Sequence, residues 1–143
     1  SKGRVLIFNL RMEENLESKK IVCIMDDNED IREIYGMKFQ REGFAVMTAR
    51  DGSEGMRIVR ENRPDIILLD IQMPVLSGLE VLNALKEDEK LAKIPVIILS
   101  NNDKDEMFQE VIDSGRAQYY LVKSLTDAQK VVDITMEVLA NSR

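Results

Sequence analysis

Asp26 and Asp27, Asp70, Ser100 and Lys123 carry side chains whose chemistry fits together. Three ionised carboxylates held close raise one another's pKa unless a cation joins them. A hard divalent ion with oxygen ligands resolves that conflict, and Mg2+ characteristically takes one or two carboxylates, several waters and a phosphate oxygen. A phosphoryl group is the natural fourth party. An ammonium and a hydroxyl, Lys123 and Ser100, can hold its remaining oxygens. Asp70 is the natural nucleophile, because carboxylates form aspartyl-phosphate intermediates. Taken singly, each residue is as well explained as a polar end to a buried strand; taken together, they offer complementary chemistry that unrelated strand ends have no reason to share.

The elements that must position these residues are visible as apolar runs. Ile21-Val22-Cys23-Ile24-Met25 leads into Asp26, Ile66-Ile67-Leu68-Leu69 into Asp70, Val96-Ile97-Ile98-Leu99 into Ser100, and Tyr119 to Val122 into Lys123. A further strand is expected over Phe44 to Thr48, after a stop at Gly43, while Pro64 and Pro95 introduce two of the others. Between them lie helical spacings: Ile31, Ile34, Tyr35 and Phe39; Ser53 to Glu61 with Met56 and Val59 inward; Leu79 to Lys86; Lys104 to Asp113, closed by Gly115. Thr126, with Ala128 to Leu139 after it, makes the last helix. Strict alternation of five strands and five helices specifies a three-layer α/β sandwich, its parallel sheet covered on both faces. Ligands of such sheets bind beyond the carboxyl ends of the strands, which is where the five residues fall.

Composition narrows the chemistry further. The chain has 143 residues, the size of one domain, with 20 basic and 26 acidic side chains and a net charge of −6. That balance argues against direct nucleic-acid binding. With no histidine there is no imidazole acid/base, no Ser-His-Asp triad and no histidine-ligated metal. Cys23 is alone, which excludes an intramolecular disulfide and a cysteine-based zinc site, and its mid-strand position reads as core. The eight methionines read mostly as core filler. No apolar run approaches the length of a membrane span, and a cytoplasmic protein is expected. Residues 1–19 read as a leader, partly foreign to the native chain or disordered, although its patch Val5-Leu6-Ile7-Phe8 could equally dock on the domain or a neighbour.

The run Asp26-Asp27, then Asp70-Ile71-Gln72-Met73-Pro74 with Gly78, then Ser100, then Tyr120-Leu121-Val122-Lys123, resembles the receiver domain of two-component response regulators. The likeness covers nearly all of the chain beyond the leader, so a receiver domain is expected over residues 20–143. It implies a flavodoxin-like fold with strand order 2-1-3-4-5. It also implies that Asp70 accepts a phosphoryl group from the phosphohistidine of a sensor histidine kinase or phosphotransfer protein, or from a small acyl phosphate. Mg2+ would be held by Asp27 and Asp70 directly, with the backbone carbonyl of Gln72, and by Asp26 mainly through water. Ser100 and Lys123 would bind the phosphoryl oxygens, and Tyr120 would turn inward as Ser100 is drawn to them. Gln72 and Asn102 would tune dephosphorylation. The output would pass to a protein partner through the fourth helix, fifth strand and fifth helix. These 143 residues have no room for a catalytic or DNA-binding domain as well, so the expectation is either action by contact with another protein or a piece of a longer chain, and a homodimer is left open.

The sequence departs from the family at Ser124, where a proline after a cis peptide bond is common, and a trans bond there would re-aim Lys123. Asn101 replaces a small residue beside the site, and Gly115 lies one residue further from Lys123 than usual. Other classes fit less well. A phosphatase of the haloacid dehalogenase type needs an acid two residues after the nucleophile, where this chain has Gln72. A flavin or nucleotide binder needs an anion cradle where Asp26-Asp27-Asn28-Glu29-Asp30 stands. A degenerate receiver that binds partners without phosphorylation is opposed by intact Asp70, Ser100 and Lys123, while Asn101 and Ser124 leave it open.

Overall fold

The computed structural model describes residues 19–101 and 106–142. Five strands, β1 (Ile21–Met25), β2 (Ala45–Ala49), β3 (Ile66–Asp70), β4 (Val96–Ser100) and β5 (Tyr119–Val122), alternate with five helices. These are α1 (Glu29–Arg41), α2 (Gly52–Asn62), α3 (Gly78–Glu87), α4 (Glu106–Ser114) and α5 (Ala128–Asn141), with a 3-10 turn at Lys123–Leu125. All pairings are parallel and the order is β2-β1-β3-β4-β5, the flavodoxin-like arrangement. The leader's first 18 residues, and the expected start of the fourth helix at Lys104, lie outside the described residues.

Strand side chains alternate between faces, and this splits the apolar residues into two cores. Val22 and Ile24 of β1 face Tyr35 and Phe39 of α1 and Val131, Val132 and Val138 of α5. Cys23 and Met25 face the other way, toward Met56 and Val59 of α2, Leu82 and Leu85 of α3, and Phe108 and Val111 of α4. Every residue of β3 and β4 is buried, which is why those strands are continuous apolar runs rather than alternating ones.

Side-chain caps fix where the helices at the carboxyl edge begin. Asn28 accepts from the Ile31 amide at 3.2 Å, Asp51 from Glu54 at 2.8 Å and Asp127 from Lys130 at 2.8 Å. Ser77 and Glu80 form a reciprocal capping box at the start of α3.

Three expectations need correction. β2 runs one residue later than Phe44 to Thr48, and Phe44 instead stacks edge-on against Phe39 at 5.0 Å between ring centres. Ile34 is 55% exposed, because rotating α1 to bury Tyr35 and Phe39 turns it outward; Met37 and Met136 are also exposed, whereas Met25, Met56 and Met73 are core. Thr126 stays outside the last helix and bonds the Val122 carbonyl, leaving the cap to Asp127. Among the described residues no helix is long and apolar enough to cross a membrane.

Candidate functional site

Neighbouring strands deliver the predicted residues to one edge. Asp26 and Asp27 follow β1, Asp70 ends β3, Ser100 ends β4, and Lys123 opens the 3-10 turn after β5. β1, β3, β4 and β5 are consecutive in the sheet, so the four positions stand side by side. The Lys123–Ser124 peptide is trans, and the lysine nonetheless reaches the acidic group.

One carboxylate oxygen each from Asp26, Asp27 and Asp70 lie within 4.8 Å of one another. Asp26 is fully buried, Asp70 is 1% exposed and Asp27 faces solvent. Asp26 is fixed at three of its polar atoms. Its amide donates to the Ala49 carbonyl at 3.0 Å, its Oδ1 accepts from the Asn28 amide at 2.9 Å, and its carbonyl accepts from the Arg32 guanidinium at 2.8 Å. Asp70 Oδ1 accepts from the Gln72 amide at 3.2 Å.

The remaining oxygens, Asp26 Oδ2 and Asp70 Oδ2, are buried and receive no oriented hydrogen bond. Each instead faces the Lys123 ammonium as an ion pair, at 2.5 Å from Asp26 and 3.5 Å from Asp70. One ammonium stands against three carboxylates. The Asp70 carboxyl is accordingly pushed up to about 7, first by burial and then by the negative charge of Asp26; Lys123 and the Gln72 amide pull it back only in part. Two buried, donor-poor oxygens beside a third, exposed carboxylate make a donor set that fits a divalent cation with oxygen ligands.

The loop after Asp70 is folded tightly back. The Gly78 amide donates to the Ile71 carbonyl at 2.8 Å, and a Cβ on Gly78 would collide with the Asp70 carbonyl, so only glycine closes the loop this way. Val75 adopts φ 69° between Pro74 and Leu76, whose amide bonds the Pro74 carbonyl at 2.8 Å. That i→i+2 bond marks a γ-turn, a strained conformation for a β-branched residue.

Ser100 is 2% exposed at the end of β4, with Asn101 exposed beside it. Tyr120 is the half-buried member of its pair. Its ring meets Phe108 edge-on at 6.1 Å between ring centres, and its hydroxyl donates to the Val111 carbonyl at 3.3 Å, while Tyr119 faces out. Gln72 is exposed at the rim, and Asn102 lies outside the described residues. Cys23 is buried, its thiol pushed up to about 12 chiefly by desolvation, as suits a core residue.

Sequence reasoning missed Arg32, whose signal was a lone cation in the acidic stretch from Asp26 to Glu33. Nothing in a valine announced the γ-turn at Val75.

Residues 22–135 match the family described as the response regulator receiver domain. The polar-differentiation response regulator DivK of Brucella anthropi is 42% identical over 81 residues, 57% of this chain and 66% of DivK. Among solved structures, the chemotaxis response regulator CheY4 of Vibrio cholerae superposes with a TM-score of 0.77 at 28% identity, over 85% of this chain and 99% of CheY4. The response regulator TrrA of Thermotoga maritima, solved in complex with Mg2+ and BeF, gives 0.70 at 28% identity over 84% of this chain and 98% of TrrA. With the family matched over most of its length, and with the strand order and acidic edge already described, this chain belongs to the response regulator receiver domain family.

Proposed function

We propose that this chain is a phosphorylation-controlled switch of a two-component or phosphorelay system, with Asp70 as phosphoacceptor. An Asp70 carboxylate oxygen attacks the phosphorus of a partner's phosphohistidine. The P–N bond breaks, the imidazole leaves to its own protein, and a mixed carboxylic–phosphoric anhydride forms on Asp70. Beyond its own phosphoryl transfer and dephosphorylation the chain catalyses nothing. Asp26, Asp27, Asp70 and the Gln72 carbonyl would hold Mg2+. When bound, the ion supplies charge neutralisation for the carboxylates and the phosphoryl oxygens.

Lys123 and Ser100 bind the phosphoryl oxygens. As Ser100 is drawn in, Tyr120 repacks, which biases the face formed by α4, β5 and α5 toward a protein target; that face would also serve any pairing with a second copy. Gln72 and Asn102 set how water reaches the acyl phosphate. The working unit is residues 20–143 of a cytoplasmic protein, with residues 1–19 as a leader outside it. The observation that carries this reading is the pair of buried Oδ2 atoms on Asp26 and Asp70, facing one ammonium beside the carboxylate of Asp27. A structural neighbour solved with Mg2+ and BeF supports it.

Incubation with Mg2+ and acetyl phosphate or phosphoramidate, followed by intact mass measurement, tests it. A single base-labile phosphoryl adduct is expected, absent in Asp70→Asn. No adduct with either donor would leave a receiver that binds partners without phosphorylation, and steady turnover of phosphate esters would make it a phosphatase.

A further inference from the structure

We infer that Arg32 is a positioning residue for the metal site, acting through the backbone of Asp26; the inference rests on the reading of the acidic cluster as a Mg2+ site. Arg32 lies in the first turns of α1, and its guanidinium donates to the Asp26 carbonyl at 2.8 Å. With the amide of Asp26 held by Ala49 and Oδ1 held by Asn28, this third bond leaves Oδ2 as the one polar atom of Asp26 aimed at Lys123 and the other carboxylates.

The Asn28 side chain caps α1 in the same turn, so the acidic loop is tied to the helix at Ile31 and again at Arg32. Arg32 also lines the open groove between α1 and the edge strand β2, with Glu29, Glu33 and Thr48 around it. Its directed contact is the bond to the loop.

Charge and positioning predict opposite signs. A cation near three carboxylates opposes Mg2+, so removing it by charge alone would tighten binding. Loss of the tie lets the Asp26–Asp27 backbone relax from the spacing that brings its carboxylates to Asp70, and partners that orient metal ligands are worth about 10-fold or more in affinity.

The test is calorimetric Mg2+ titration of the full chain, unphosphorylated, with unfolding midpoints measured in EDTA. Arg32→Met, which keeps the aliphatic stem, is expected to weaken Mg2+ binding about 10-fold while its midpoint in EDTA stays close to the parent's. Arg32→Lys, a single-point donor, is expected to recover most of that loss. Unchanged or tighter binding in Arg32→Met overturns the proposal. So does weakened binding in both variants in proportion to lost stability, which would make Arg32 merely structural. If the parent chain binds no Mg2+, it is the metal-site reading that fails, and the positioning role falls with it.

Discussion

Polar side chains stand at both ends of this sheet, and they are treated oppositely. At the amino edge, Asp65 precedes β3 and Gln118 precedes β5, and each is paired off with the first residue of the neighbouring strand. Asp65 Oδ2 accepts from the Ile21 amide at 2.7 Å while its own amide donates to the Ile21 carbonyl at 2.9 Å. Gln118 repeats the motif with Val96, at 2.7 and 2.9 Å. At the carboxyl edge, Asp26 and Asp70 are more deeply buried, yet each keeps one oxygen without an oriented donor, facing a shared ammonium. The amino edge spends its polar groups on the fold, where a bond of this kind contributes about 1 kcal/mol. The carboxyl edge holds them in a state that an additional cation would improve.

The metal-free chain offers a common scale on which to break that contrast. The largest effect is expected for Lys123→Ala, which leaves two buried carboxylates without their cation. Removing one partner of a buried pair costs about 3–5 kcal/mol, and denaturant unfolding at pH 8 in EDTA should show a loss of that order, recovered in large part by Mg2+. The opposite sign is expected for Asp70→Asn. Because the folded carboxyl titrates near 7, well above its unfolded value, the folded state holds the extra proton, and stability is lost as pH rises from about 4 to about 7. Asparagine removes that ionisation, so at pH 8 it should stabilise the metal-free chain by up to about 4 kcal/mol, and its stability should lose most of its slope across that range. The smallest effects belong to the amino edge: Asp65→Ala and Gln118→Ala should each cost about 1 kcal/mol and leave Mg2+ affinity, measured by calorimetry, unchanged.

The juxtaposition of the candidate residues was legible in the sequence because each of them follows an apolar run, and a strand that ends at a fixed place aims what comes next. Asp70, Ser100 and Lys123 needed no more than that. Elements set by tertiary packing were harder to place. Ile34 has the spacing of a core residue and is exposed, since two aromatic rings decide the rotation of α1. Arg32 and the γ-turn at Val75 depend on backbone carbonyls, which carry no mark in the sequence. The 3-10 turn at Lys123–Leu125 follows β5 directly, with no Gly or Pro to punctuate it.

The position of β5 at the margin of the sheet is expected to divide the candidate site by timescale. The strands that lead to the acidic residues, β1 and β3, are each bonded on both sides, whereas β5, which carries Tyr120 and leads to Lys123, is bonded among the described residues to β4 alone. Amide exchange should be slowest behind the carboxylates and faster behind the ammonium and the aromatic ring. The anionic half of the candidate site thus stands on strands paired on both sides, and the cationic half on the sheet's margin, where a shift would leave the central pairings intact.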